Sequence, residues 1–265
     1  MSNTIQYEVN KSIACITLNR PDKLNSFNVE MHTQLAQVMQ QVESDDGVRC
    51  VIITGAGRGF CAGQDLSDRA VKSDNQQSTP VDLGASVEKY YNPLIRRISQ
   101  LDKPVICALN GVAAGAGASI ALACDFVIAS NKASFILAFC AVGLVPDSGA
   151  SWHMIRSLGL ARTKALALLG NKLSAEKALE WGLIWQVSEP EQLLQEANSL
   201  AQQLAEKPPL AVAATKHLIN DSFDKVMHQQ LEEERLLMQR LGRSHDYQEG
   251  VAAFMQKRPG QFKGC

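Results

Sequence analysis

Two segments rich in small residues are the first candidates for chemistry. They are Gly59-Phe60-Cys61-Ala62-Gly63-Gln64-Asp65-Leu66 and Asn110-Gly111-Val112-Ala113-Ala114-Gly115-Ala116-Gly117-Ala118. Glycine lets a backbone approach a ligand closely and adopt unusual dihedrals. Backbone N–H groups exposed where a helix begins hold an anion or a polarised carbonyl oxygen. Two such segments together supply two N–H donors, which is what an oxyanion hole requires. The same residues also suit ordinary turns and tight helix–strand packing, and spacing alone leaves both readings open. Nucleotide motifs do not fit. Gly63 is followed by Gln64 and Asp65 rather than Lys and Ser/Thr, and Gly117 is followed three residues on by Ile120 rather than glycine.

The third candidate is Asp147, set in Gly143-Leu144-Val145-Pro146-Asp147-Ser148-Gly149-Ala150. A carboxylate among apolar and small residues is suited to acid or base work. It equally suits capping of a helix that begins near Ser151. Asp125 also lies among apolar residues and reads as a structural hydrogen-bond partner, and Asp65 as a brace for its own loop. His32, His153, His217, His228 and His245 have no metal-ligand spacing, so no metal site is expected. Ser148 lacks a nucleophile-elbow context because residue 146 is proline.

The elements that must position these groups follow from periodicity. Ile5–Val9 and Ile13–Leu18 alternate and read as a hairpin. Met31, Leu35, Val38, Met39 and Val42 share one face of a helix capped near Asn28. Val48–Thr54, Pro104–Leu109 and Phe126–Ala129 read as strands, with a small-residue helix from Gly115 to about Ala123. The polar stretch from about Ser67 to Leu83 reads as a mobile surface loop, followed by a helix to about Gln100. Strand, helix, strand alternation points to α/β. After Pro146 the pattern is helical almost throughout. Ser174 caps a short helix that ends before Gly182, and Pro190 stands at an expected first helical position. Leu193, Leu194, Ala197, Leu200, Ala201 and Leu204 form an apolar face. A soft boundary near Ala205 divides an α/β core, 1–205, from an all-helical section, 206–265.

The 265 residues carry a formal net charge of −1, so no global field attracts nucleic acid or anionic lipid. Seven cysteines, without C-x-x-C spacing, read as reduced residues of a cytoplasmic protein. No signal peptide or membrane-spanning stretch is expected.

Leu18-Asn19-Arg20-Pro21, Phe60 to Leu66, Lys103-Pro104-Val105-Ile106, Asn110 to Gly117, Asp125, Gly143 to Gly149, Leu173-Ser174-Ala175, Trp181-Gly182-Leu183 and Glu249 to Phe254 occur in an order and spacing that resembles the crotonase (enoyl-CoA hydratase/isomerase) family over nearly the whole chain. The resemblance implies a spiral of ββα units with a C-terminal all-helical oligomerisation region, assembled as a homotrimer or hexamer. It implies an acyl-CoA substrate whose thioester oxygen is held by the backbone N–H groups of Gln64 and Ala116. CoA is then part of the substrate, and no separate cofactor is implied. By position Lys23, Ala62, Gly63, Asp65, Leu66, Gly115 and Phe139 fall at the substrate and CoA site, with Lys257, Arg258 and Lys263 as further phosphate contacts.

Hydratases of the family use two glutamates. The matching positions here are Ser119 and Phe139, which turns the expectation away from hydration. Asp147 matches a family aspartate that moves protons in dienoyl-CoA isomerases. Phe139 and Asn92 replace the tryptophan and histidine of the family's dehalogenases. Longer stretches, among them Gly55 to Leu66, Tyr91-Asn92-Pro93-Leu94, Leu168 to Asn171 and Trp181 to Val187, are similar to the branch that isomerises a ring epoxide of an aryl-acetyl thioester. Ser148-Gly149-Ala150-Ser151 departs from the Cys-Gly-Gly-Thr expected of that branch. The expected activity is therefore CoA-thioester isomerisation by Asp147, with Phe139, Tyr90 and Tyr91 as candidate apolar walls, core packing being the plainer role for any one of them. A Δ3,Δ2-enoyl-CoA isomerase or hydratase of fatty-acid breakdown and a non-catalytic subunit of a hydratase complex remain as alternatives.

Overall fold

The computed structural model describes residues 3–67 and 82–265. Strand β1 (Ile5–Asn10) and β2 (Ile13–Leu18) form an antiparallel hairpin. Its two loop residues, Lys11 and Ser12, both have left-handed backbone (φ 46° and 66°). That conformation matches the twist of the flanking strands. The rest of the sheet is parallel: β3 (Cys50–Gly55), β5 (Val105–Leu109), β7 (Phe126–Ser130) and β10 (Gln186–Ser188) add in the order β1-β2-β3-β5-β7-β10.

Parallel strands are covered on both faces and are therefore apolar without alternation. In β3, Val51 and Ile53 face the main core. Cys50 and Ile52 face the opposite side, where Leu193, Ala197 and Ala201 of the helix Leu193–Ala205 cover them. A second sheet of short strands runs β4 (Gly59–Cys61), β6 (Val112–Ala114), β8 (Ser134–Ile136), β9 (Leu173–Ser174). β5 and β7 each pass to a short strand, β6 and β8, and then to a helix, which makes the ββα spiral. In the second turn of the spiral, β5 and β6 lead into the helix Ala116–Ala123. The main core, including Phe60, Phe135, Ile53 and Leu109, fills the space among these elements.

The helix Val29–Ser44 begins at Asn28, whose side chain accepts from Met31 N–H at 2.9 Å. It buries Met31, Leu35, Met39 and Val42, with His32 beside them. Ser174 caps the helix Ala175–Glu180. Two expectations change, and a third lies mostly outside the described residues. Pro190 lies in a turn and the helix starts at Leu193, leaving Leu194 exposed. The region after Pro146 also contributes β9 and β10, two strands of two and three residues that are too short to alternate. The surface loop expected over 67–83 falls mostly on residues 68–81, outside the described residues, and Leu83 already opens the helix Leu83–Ser86.

Three helices, Pro209–Asp221, Met227–Leu241 and His245–Gln256, follow residue 205. Lys216 ties the first of them to the core. Its buried ammonium lies 2.9 Å from Asp125 Oδ2 and donates to the Ile98 carbonyl at 2.9 Å. Asp125 also accepts from Val105 N–H at 2.7 Å, so it has the structural role expected of it. Burial raises its carboxyl pKa, and the Lys216 charge opposes that rise.

Candidate active site

The first small-residue segment is clamped from one side. Phe27 N–H donates to the Gly63 carbonyl (2.7 Å), and Asp65 N–H donates to the Phe27 carbonyl (2.8 Å). These bonds flank Gln64, and in extended backbone successive N–H groups alternate in direction, so the Gln64 N–H points away from Phe27. The Gln64 side chain is held at both ends. Its amide donates to the Phe27 carbonyl (3.0 Å) and its oxygen accepts from the Tyr91 hydroxyl (2.9 Å). Asp65 is buried and pairs with Arg20 at 2.9 Å while accepting from Ser67 Oγ at 2.6 Å. The Ser67 hydrogen bond, with Arg20 beside it, holds the Asp65 carboxyl below the usual range. Asp65 therefore braces its loop, and Leu66 beyond it is 68% exposed.

The second segment meets the first closely. Gly63 has φ +88°, and a Cβ there would stand 2.9 Å from the Ala114 carbonyl and 3.5 Å from Ala116 N. Gly115, at φ +52°, turns the chain into the helix that starts at Ala116. Ala116 is the first residue of that helix, so its N–H has no intrahelical acceptor and stands at the positive end of the helix dipole. A Cβ on Gly115 would lie 3.8 Å from Phe139 Cζ, which places that ring against the turn. Ala62 is half-buried and donates its N–H to the Leu24 carbonyl (2.9 Å). Lys23 precedes Leu24 on an exposed turn and has no ion pair among the described residues.

Asp147 joins the same locus through the helix Ala116–Ala123. Ser119 is fully buried one turn into that helix, and its hydroxyl donates to the Asp147 carbonyl at 3.0 Å. Ala150 N–H donates to the same carbonyl at 3.1 Å. Ser148 Oγ donates to Asp147 Oδ1 at 2.9 Å. The helix that follows begins at Ala150 with Gly149 in the cap position and no side-chain cap. The cap position of that helix is thus Gly149 (φ +77°) rather than Asp147, which stands two residues before it.

The structure thus gathers Gln64, Ala116, Phe139 and Asp147 around Gly63, Gly115 and Ser119. Tyr90 stacks on His32 (4.8 Å between centroids) and Tyr91 meets the same ring edge-on (4.5 Å). Asn92 instead donates to Glu88 at the surface. Arg258 is committed to Glu249 by two contacts of 2.6 and 2.9 Å, which argues against a phosphate role for it. The sequence reading missed the hydroxyl bonds of Ser119 and Ser148 and the Tyr91–Gln64 bond. The departure at Ser148 from the expected cysteine was the one available signal. Among the described residues no group of three or more His, Cys, Asp or Glu side chains converges as metal ligands do.

The family described as enoyl-CoA hydratase/isomerase matches residues 8–265. The chain is 53% identical over 264 residues to the 1,2-epoxyphenylacetyl-CoA isomerase of Escherichia coli (strain K12), covering 100% of both chains. It is 35% identical over 262 residues to a trans-2-decenoyl-[acyl-carrier-protein] isomerase of Streptococcus mutans, covering 98% of each. The crystal structure of an enoyl-CoA hydratase from Bacillus anthracis superposes with a TM-score of 0.92 at 31% identity, over 99% of this chain and 100% of that one.

Proposed function

The chain belongs to the enoyl-CoA hydratase/isomerase family, and on that premise we propose that it isomerises acyl-CoA thioesters, with ring-1,2-epoxyphenylacetyl-CoA, converted to the seven-membered oxepin, as its main substrate. Related Δ3-to-Δ2 double-bond shifts use the same groups. The thioester oxygen accepts from the backbone N–H groups of Gln64 and Ala116. In the double-bond shift Asp147 takes a proton from the carbon beside the thioester and returns it to a more distant carbon. With the epoxide the C–C bond shared by the three- and six-membered rings also breaks, its electron pair entering the double bonds of the oxepin, so atoms and charge balance over each cycle. The two N–H groups stabilise the enolate that exists in between, and the loss of one such donor costs roughly two to three orders of magnitude in rate.

One observation carries this reading. The Gly63 turn meets Ala116 N, and Ser119, three residues further along the same helix, holds the Asp147 main chain at 3.0 Å. The segments assigned to the oxyanion donors and to the carboxylate are thus tied to one helix, which supports their acting together. Hydration is disfavoured because the two positions that carry glutamates in hydratases hold a hydroxyl committed to a carbonyl and an apolar ring. The Phe139 ring, set against the Gly115 turn, suits an aromatic-derived acyl group, whereas Tyr91 is 1% exposed and packs in the core. Ala62, Gly63, Asp65, Leu66 and Gly115 form or brace the cradle of the thioester, and Lys23 is assigned to a CoA phosphate. CoA is part of the substrate, and no further cofactor enters. We assign the enzyme to the cytoplasm as a homotrimer or hexamer built on residues 206–265, with a hydratase of the same reaction sequence as a further partner.

The test is turnover of a synthetic 3-enoyl-CoA and of enzymatically prepared ring-epoxide phenylacetyl-CoA by wild type and Asp147→Asn. Both substrates are expected to isomerise, and the variant to lose at least about two decades of rate, a typical scale for a proton-transferring group. Wild-type activity in the variant, or an inert wild type, would overturn the reading.

A further inference from the structure

We propose that Ser148 is a positioning residue for this reaction: its hydroxyl holds the Asp147 carboxylate in the orientation from which it moves the proton. The inference rests on the reading of Asp147 as the proton carrier and adds a second residue to it.

Asp147 is held at two levels. Ser119 Oγ and Ala150 N–H fix its carbonyl at 3.0 and 3.1 Å, which sets where the backbone stands. That leaves two side-chain torsions, and rotation about them swings the carboxylate oxygens far beyond the roughly 0.5 Å tolerance of a productive site. The bond from Ser148 Oγ to Asp147 Oδ1, at 2.9 Å, restrains those torsions. An ionised carboxylate only accepts, and a hydroxyl has one proton to donate, so the bond favours the ionised carboxylate that abstracts the first proton.

The backbone at Ser148 points to the same role. Its φ is +53°, in the left-handed region that favours glycine, and the next residue, Gly149, also has positive φ (+77°). A buried serine stands where glycine would adopt the turn without strain, and such outliers gather at functional sites. Ser148 is only 3% exposed, so bulk water has little access to take over its bond. Through the cycle a substrate C–H bond breaks as an O–H bond forms on Asp147, and the reverse follows at the second carbon. Ser148 keeps its own proton throughout.

The experiment compares wild type, Ser148→Gly, Ser148→Cys and Asp147→Asn on the 3-enoyl-CoA substrate, with melting temperature measured alongside. Glycine removes the hydroxyl while adopting the same turn, so the fold should survive. Cysteine keeps the shape with a weaker donor. We expect kcat for Ser148→Gly to fall about ten- to a hundredfold, the scale of one hydrogen bond to a charged group. KM should stay within about twofold, the melting temperature should not fall, and Ser148→Cys should lie between glycine and wild type. The same ordering of kcat for Ser148→Cys supports the proposal even if the glycine variant fails to fold. Wild-type kcat in Ser148→Gly, or in Ser148→Cys where glycine does not fold, overturns the proposal, as does a change in KM alone, while an inactive Asp147→Asn keeps the reading of Asp147. An Asp147→Asn variant as active as wild type removes that reading and the proposal together.

Discussion

His153 lies beneath the turn that carries Asp147, with Cδ2 3.4 Å from the place a Cβ on Gly149 would occupy. Burial, and then the positive charge of Arg156, push its pKa down from 6.5 to about 4. The folded state therefore holds a neutral ring, and unfolding takes up a proton below pH 6.5. The stability His153 contributes is fully present above about pH 6.5 and is lost as pH falls toward 4. His153→Gln should remove that sensitivity, so its melting temperature should fall less than that of wild type between pH 7 and pH 4.5. Parallel falls in the two proteins would assign the acid sensitivity to other groups. At this scale the sequence is legible where a residue type is unusual for its surroundings. Asp147 stands out among apolar neighbours, and Gly63 and Gly115 stand out because left-handed backbone needs them. The hydroxyls of Ser119 and Ser148 do not stand out. Serine is common, and the partner of Ser119 is 28 positions away.

The helix Ala116–Ala123 carries both a proposed oxyanion donor and the Ser119 tether, so its seating on β4 sets the geometry of the site. That seating depends on Gly117, where a Cβ would stand 2.3 Å from the Cys61 carbonyl oxygen and 2.8 Å from Cys61 Cβ. In Gly117→Ala two effects oppose each other. Helix propensity favours alanine by about 1 kcal/mol, whereas overpacking against backbone costs about 1–3 kcal/mol, occasionally more. The contact is with a carbonyl in a strand rather than a flexible side-chain tip, so the clash should prevail. The expected result is a melting temperature lower by roughly 2–10 °C and a lower kcat as Ala116 N–H is displaced. A higher melting temperature with unchanged kcat would show that the helix reseats without cost. Elements were legible in proportion to their length. The hairpin, the capped helix from Val29 and the long parallel strands follow from pattern and caps. The second sheet did not, because β4, β6, β8 and β9 have only two or three residues each, too few to show a period: β4 and β6 lie inside the small-residue segments and β9 inside a stretch read as helical. Pairing between distant pieces makes them strands.

At the scale of the whole molecule, residues beyond 205 are fastened at both ends. Lys216 reaches Asp125 in the core, Arg49 donates to the Phe262 carbonyl at 2.5 Å, and Asp246 accepts from the N–H groups of Lys263 and Gly264 at 2.7 and 2.8 Å. Among the described residues, much of the outer surface of these helices is left uncovered. The helix Met227–Leu241 buries no residue, while Met238 is 73% and Phe254 82% exposed. If the chain assembles as proposed, exposed apolar side chains such as these are the expected association surface. A second copy of the chain is the occupant that closed symmetry supplies without a new partner. The helical content of this region was legible from its pattern, but which of its apolar residues meet the core and which stay exposed was not. Sedimentation should give a mass that is three or six times 28.8 kDa. Met238→Glu combined with Phe254→Glu should shift it to the single chain at micromolar concentration, because a charge carried into an apolar interface is costly without a partner. Wild-type melting temperature should rise with protein concentration, as it does when association stabilises the folded state, and that dependence should vanish in the double variant. A wild type that sediments as one chain, or a double variant that keeps the assembled mass, would move the interface away from these helices.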